Sequence, residues 1–238
     1  MNAEFHSALT NRLEDWNRAL GRLVFSEPVH TVVNPWEYAR AGRDAYLDLL
    51  NPSPRLFFLG MNPGPWGMAQ TGIPFGEVGR VRDWMGLNPE VGKPEHEHPK
   101  RPVEGMACTR KEVSGTRLWG LMQDHYGNPE DCFSDLVIWP FCPLMWLKES
   151  GANLPPNVLR AAERKPVERL CDEALADVLE RFAPEHLIAI GQYAELALKR
   201  TRPDQPVTRI LHPSPASPAA NRDWAGTVTR QLRDAGIW

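Results

Sequence analysis

Apolar residues recur along this chain with two different periods. Near the start, Leu9, Leu13, Trp16 and Leu20 fall three or four apart. That spacing predicts an amphipathic helix from about Ala3 to Val24. Asn34-Pro35 places a capping side chain before a proline suited to a first helical turn, so a second helix is expected from there to about Leu50. Asn51-Pro52-Ser53-Pro54 ends it. The longest helical stripe carries Val167, Leu170, Leu175, Val178 and Phe182, which predicts a helix from Pro166 to Phe182. Shorter helices are expected from Val78 to Met85, from Gly115 to His125 with Ser114 as cap, from Tyr193 to Lys199, and from Asp223 to Asp234.

Between the helices stand short, nearly unbroken apolar runs. Arg55–Leu59, Asp135–Trp139, His186–Ile190 and Val207–Leu211 read as buried strands. Strands that alternate with helices argue an α/β fold, a three-layer α/β/α sandwich around a central, mostly parallel four-stranded sheet. No repeat, low-complexity tract or linker divides the sequence, so residues 1–238 are expected to form one domain.

The loops after these strands are unusual. The first strand runs into Gly60-Met61-Asn62-Pro63-Gly64-Pro65-Trp66-Gly67-Met68-Ala69-Gln70-Thr71-Gly72-Ile73-Pro74-Phe75-Gly76. Such a run of Gly and Pro suits backbone that must closely approach a flat ligand. The second strand runs into Pro140-Phe141-Cys142-Pro143-Leu144, and the fourth into His212-Pro213-Ser214-Pro215. Parallel strands bring these ends to one edge of the sheet, where such folds build their sites. Asn62, Phe75, Phe141 and His212 are therefore expected to converge. An amide, aromatic faces and an imidazole suit a flat polar ring better than a phosphate chain. Neither a Walker pattern nor a GxGxxG fingerprint is present. Taken singly, Asn62 is also an ordinary turn residue, and Phe75 and His212 suit a core; the combination is what points to a site.

Composition narrows the picture a little. Net charge is −3, which argues mildly against a nonspecific, high-affinity nucleic-acid binder. A local basic face is still available, because Lys93, Lys100, Arg101, Arg110 and Lys111 cluster within the Pro-rich stretch 86–112 or at its edge. The alternative for that cluster is a solvated loop. The four cysteines match no zinc or iron–sulfur spacing and read as reduced, mostly buried thiols. His96 and His98 lack acidic or Cys partners at metal spacing, so no metal is expected. No stretch approaches the roughly 18 apolar residues of a membrane span, and the N-terminus lacks a signal pattern. A cytoplasmic location, or a nuclear one in a eukaryote, is the expectation.

Two of these loops, after the first and fourth strands, carry a family resemblance. Gly60–Pro65, Gly67–Gly72 and Pro74–Gly76 resemble the first motif of the single-strand-selective monofunctional uracil-DNA glycosylases. His212–Pro215 with Pro218, Ala220 and Asn221 resembles their second. Asn34-Pro35, Glu37-Tyr38-Ala39, Glu97–Val103, Glu112-Val113-Ser114-Gly115 and Cys142-Pro143-Leu144 match between or before them. The resemblance runs from about residue 30 to the C-terminus. It implies a monomeric enzyme that flips a uracil out of DNA and hydrolyses its N-glycosidic bond without a cofactor. Asn62 then holds the attacking water, and His212 donates a hydrogen bond to O2 of the departing base. Phe75 stacks on the ring, and Met61, Met68, Pro140 and Phe141 complete the base pocket. Gly64 leaves space beside C5, so 5-hydroxymethyluracil is an expected second substrate. Pro213, Ser214, Pro215, Ala216, Ser217 and Asn221, with Arg222, Lys100 and Arg101, are the expected DNA-facing residues. No motif places a lysine to form a Schiff base, in keeping with monofunctional chemistry.

Two positions depart from the family. It usually has an asparagine where Pro140 stands, and that asparagine reads the O4 and N3 edge of uracil. Proline brings no side-chain polar group and no N–H. The preferred base is then open to retuning toward the deaminated purines, hypoxanthine and xanthine. After the HPSP run, Ala216 and Ser217 stand where a larger wedge residue is common, which weakens the expected hold on duplex DNA; a phosphate contact from Arg222 would compensate. A non-catalytic binder of damaged bases is the rival from another class.

Overall fold

The computed structural model describes the backbone of residues 2–238, with side chains from Glu4 onward. In chain order its main elements are α1 (Asn2–Leu20), β1 (Thr31–Val33), α2 (Pro35–Tyr38), α3 (Arg40–Leu49), β2 (Leu56–Gly60), α4 (Met68–Thr71), α5 (Val113–Tyr126), α6 (Pro129–Asp135), β3 (Leu136–Pro140), β4 (Met145–Leu147), β5 (Asn153–Leu154), α7 (Ala161–Phe182), β6 (His186–Ile190), α8 (Gln192–Thr201), β7 (Val207–Ile210) and α9 (Pro218–Asp234).

The four expected strands pair in the order β3-β2-β6-β7, and every pairing is parallel. β2 and β3 are buried at every position, which is why they read as unbroken apolar runs rather than alternating ones. Helices cover the sheet to make an α/β/α sandwich: α1, α7 and α8 pack together, as do α5, α6 and α9. Leu9, Leu13, Trp16 and Leu20 of α1 are all buried. Phe182 of α7 meets Phe5, Phe57 and Trp139 at ring centroid distances of 5.2–6.3 Å. All four cysteines are free and buried. Among the described residues, no helix is long and apolar enough to cross a membrane.

Several elements differ from the sequence expectation. A second, antiparallel sheet of order β1-β4-β5 stands beside the first. Its strands are only two or three residues long, too short for periodicity to register. The helix expected from Pro35 to Leu50 breaks at Ala39 into α2 and α3. The break lets Trp36 Nε1 donate to the Gly72 carbonyl at 2.9 Å, and Tyr38 Oη donate to that of Ala69 at 2.6 Å. Asp135 belongs to α6, not to the strand, and its carboxylate takes two bonds from Arg55 at 2.8 and 2.9 Å. α6 itself was hidden by its shortness, although Asn128-Pro129 is a proper start whose side chain accepts from Asp131 N–H. The Val78–Met85 helix is present but widens into a π turn over Arg80–Trp84. α7 begins at Ala161, so Pro166 lies inside it. α9 begins at Pro218, and Asp223, the expected start, marks a kink with φ −158°.

The 86–112 stretch is fixed in place from within the fold. Gln70 is almost fully buried and satisfied at both ends of its amide. Nε2 donates to Pro65 and Pro102 carbonyls, and Oε1 accepts from the N–H groups of Glu104 and Gly105. This one side chain ties the glycine loop to the Pro-rich stretch.

Candidate active site

A cavity of about 200 Å³ opens at the carboxyl ends of β2, β3 and β7. Cα pairing of Gly60 with Pro140 sets the two loop starts side by side, and Phe141 N–H and Cys142 N–H extend the ladder to Gly60 and Met61 carbonyls. Met61, Asn62, Gly64, Met68, Phe75, Pro140 and His212 all line the cavity, as the sequence suggested. Phe141 does not. Successive side chains of an extended segment point to opposite faces, so Pro140 faces the cavity and Phe141 turns into the core beside Tyr193.

A backbone hydrogen bond sets the tautomer of His212. Its Nδ1 accepts the Ser214 N–H at 3.1 Å, which places the proton of the neutral ring on Nε2. Burial pushes its pKa below the usual value. Gly191, in the left-handed region at φ 88°, backs the ring; a Cβ there would sit 3.2 Å from His212 Cβ. Asn62 donates from Nδ2 to the Leu144 carbonyl at 3.3 Å, leaving Oδ1 without a protein partner. The Phe75 ring lies against Gly60, where a Cβ would come within 2.6 Å of it, and 6.4 Å from the His212 ring. Phe75 itself adopts φ 54°, a strained conformation for a bulky residue. Trp119 Nε1 holds the preceding Pro74 carbonyl at 3.1 Å, and Thr71 Oγ1 holds that of Gly76 at 2.9 Å.

Four contributors were missed or misread from sequence. Ser114 is not a helix cap, because α5 starts at Val113; its hydroxyl donates to the Pro213 carbonyl at 3.4 Å and it lines the cavity. Arg117 donates to Pro213 and Ser214 carbonyls and to Asn221 Oδ1, bracing the HPSP loop. Asn153 of β5 lines the cavity and donates to the Pro63 carbonyl at 3.3 Å. The fourth is Glu112, which belongs to the Glu112-Val113-Ser114-Gly115 match. Its carboxyl lies where side chains at Gly64 and Gly67 would be, and a Cβ on either glycine would overlap it. The space that Gly64 was expected to leave open is therefore occupied by a carboxyl group.

Burial, with Glu77 nearby as a lesser cause, pushes the Glu112 pKa up to about 7. The residue is partly exposed as a whole, but its Oε2 has neither solvent contact nor a hydrogen-bond partner. A raised carboxyl pKa destabilises the fold as pH climbs from the ordinary 4.5 toward 7 and leaves it untouched below 4.5. Glu112→Gln is expected to raise the melting temperature at pH 8, by up to about 3 kcal/mol of stability, and to leave it unchanged at pH 4. An equal melting temperature at pH 8 would contradict the buried, uncompensated carboxyl.

Toward the outside, Arg110 and Arg101 lie over the Trp66 ring, 4.3 and 5.3 Å from its centroid. Lys100 and Lys111 are exposed, whereas Lys93 turns back to Glu97 and the Val103 carbonyl. The basic cluster is thus split, and only part of it borders the glycine loop. Pro215, Ala216 and Arg222 are exposed, and Pro213 is buried. Ser214 Oγ accepts from Ala216 N–H, and Ser217 caps α9 through Ala220 N–H. Asn221 donates to the Pro215 carbonyl while accepting from Arg117, so both ends of its amide serve the loop.

Comparison with known proteins shows the family and the fold. Residues 47–233 match the model of the uracil DNA glycosylase superfamily. The chain is 42% identical over 226 residues to the single-strand selective monofunctional uracil DNA glycosylase of Bos taurus, covering 93% of this chain and 83% of that protein. The Rattus norvegicus protein of the same description is 41% identical, covering 93% and 81%. In fold, the chain is similar to the crystal structure of wild-type Pedobacter heparinus SMUG2, with a TM-score of 0.67 and 16% identity over 96% of this chain and 97% of that one. With the family model spanning most of the chain and relatives above 40% identity aligned across nearly all of it, the protein belongs to the uracil-DNA glycosylase superfamily, alongside the single-strand selective monofunctional enzymes.

Proposed function

We propose that this chain is a monofunctional DNA glycosylase that hydrolyses the N-glycosidic bond of uracil flipped out of DNA, initiating base excision repair. The observation that carries the reading is the pairing across one cavity of a neutral His212, its proton on Nε2, with an Asn62 whose Oδ1 is unengaged. A base entering the cavity stacks on Phe75. As the C1′–N1 bond breaks, its electron pair passes to the base and charge develops at O2. The Nε2–H of His212 meets that charge, an oxyanion-type contact. Water held by Asn62 Oδ1 attacks C1′; its hydroxyl stays on the sugar, and its proton balances the departing uracil anion. An amide is a weak base, so leaving-group stabilisation supplies most of the acceleration. Among the described residues no lysine lines the cavity, which favours a monofunctional route without a Schiff base.

Two substrate extensions rest on single residues. 5-Hydroxymethyluracil needs room beside C5, and Glu112 must yield it, so this base is placed behind uracil. Pro140 lines the cavity without a polar group, and this favours hypoxanthine or xanthine as a second class. Oligonucleotides carrying each of the four bases, single-stranded and opposite each normal base, are to be scored for abasic sites. Uracil in single strands is expected to be released fastest. Release of hypoxanthine ahead of uracil would favour the purine reading. Release of nothing, with retained affinity for uracil-containing DNA, would favour a damage binder.

A further inference from the structure

The cavity contains one ionisable group that the reaction above leaves unused. Glu112 directly precedes α5, and its carboxyl rests in the cradle formed by Gly64 and Gly67. Side chains on either glycine would overlap it, so the glycine loop admits this carboxyl to the cavity wall. The other polar side chains of the lining are each anchored. Asn62 and Asn153 donate to the carbonyls of Leu144 and Pro63, Ser114 donates to that of Pro213, and His212 accepts from Ser214. Glu112 has no such anchor, and its Oε2 is sealed from solvent with no partner at all. Oε2 lies toward Gly67, outside the lining, whereas Oε1 lies beside Gly64 on the cavity wall, so Oε1 is the atom through which the acid reaches a ligand.

We propose that Glu112, as the neutral acid, donates a hydrogen bond to an exocyclic carbonyl oxygen of the flipped base, O4 in uracil, and so supplies the edge contact that Pro140 cannot. The proposal rests on the glycosylase reading above. Its chemistry follows from the leaving group. The uracil anion spreads its charge over both carbonyl oxygens, so a donor at O4 strengthens as the glycosidic bond breaks, in parallel with His212 at O2. A carboxylic acid kept neutral by its site can serve as that donor. A carboxylate in the same place would accept only, and would repel both the oxygen and the developing anion.

The charges around Glu112 support the neutral form. Glu77, from the segment after the glycine loop, opposes its ionisation. His212, across the cavity, is held neutral by burial. The cations on its own segment, Arg110 and Lys111, are exposed, and Arg110 is engaged with Trp66. The Glu112 pKa, pushed up to about 7, makes the donor present below neutrality and lost as pH rises through that value.

The test is the pH profile of kcat/KM for release of uracil from a single-stranded oligonucleotide by the full chain, as wild type, Glu112→Gln and Glu112→Ala, with melting curves to confirm folding. Wild type is expected to fall by about tenfold per pH unit above neutrality. Glu112→Gln, which keeps a donor that cannot ionise, is expected to stay within a few-fold of wild type near pH 6 and to lack that fall. Glu112→Ala is expected to lose about 10²-fold at all pH values. Glu112→Gln as inactive as Glu112→Ala overturns the proposal. So does a wild-type rate that instead rises through pH 7, the signature of a general base. The same holds if the alkaline fall is unchanged in Glu112→Gln. Wild type that releases no base at all overturns the glycosylase reading and this proposal with it, an outcome distinct from each of the others.

Discussion

Replacing His212 by alanine is expected to lower single-turnover release of uracil by about 10²- to 10³-fold, the usual cost of one donor aimed at developing charge. The expected size follows from how the donor is prepared. The Ser214 N–H occupies Nδ1, so the ring need not choose a tautomer when the base arrives. Gly191 and the Phe75 ring restrict where the imidazole can lie. The ring is also neutral, because burial lowers its pKa. Affinity for uracil-containing DNA is expected to change little, since the donor matters most when charge appears in the transition state. Adding Asn62→Ala should cost less than the two single losses combined, because both residues act on one step. Binding by gel shift and rate by rapid quench, measured on the same oligonucleotide, separate the two effects. A His212→Ala rate within threefold of wild type would remove His212 from the reaction.

A single methyl group at Gly115 is expected to disturb both stability and activity. Gly115 lies in the first turn of α5, and a Cβ there would overlap the carbonyl oxygen of Phe75. That oxygen is backbone, and the backbone is already held at φ 54°, with the Trp119 indole and the Thr71 hydroxyl fixing the carbonyls on either side. The clash therefore cannot be relieved by rotating a side chain. Overpacking of this kind costs about 2–3 kcal/mol, which lowers the melting temperature by roughly 4–12 °C for a chain of this size. Movement of α5 or of the loop shifts the Phe75 ring away from Gly60, so uracil release should fall at least about tenfold if geometry at the stacking face matters as in other preorganised sites. Calorimetry and the same excision assay read the two effects. An alanine variant with unchanged melting and rate would show that the loop is softer than its hydrogen bonds imply.

Much of the site was legible because its chemistry is local in sequence. The run from Gly60 to Gly76 carries Asn62, proposed to hold the water, Phe75, proposed to stack on the base, and the glycines that let them approach one another. His212 stands out because it ends a strand. Phe141 was misplaced for a simple reason: on an extended segment, one residue of offset reverses the facing side, and apolar character alone does not say which side is the cavity. Glu112 was overlooked because nothing in its neighbours marks a buried carboxyl. Its surroundings are made by Gly64, Gly67 and Glu77, which lie 35–48 residues away along the chain.

The sequence by itself determined the four parallel strands, the main helical faces and the order of the site loops, since these follow from periodicity and from the conformations open to Gly and Pro. Relative placement was decided only by the tertiary structure. Pairing of Gly60 with Pro140 sets two loops in register. The break at Ala39 aims Trp36 and Tyr38 at the glycine loop, and Arg117 braces the histidine loop from another helix. Ionisation state belongs to the same category. A carboxyl or an imidazole acquires its working pKa from the desolvation and charges assembled around it, and for Glu112 and His212 those come from distant segments packed together.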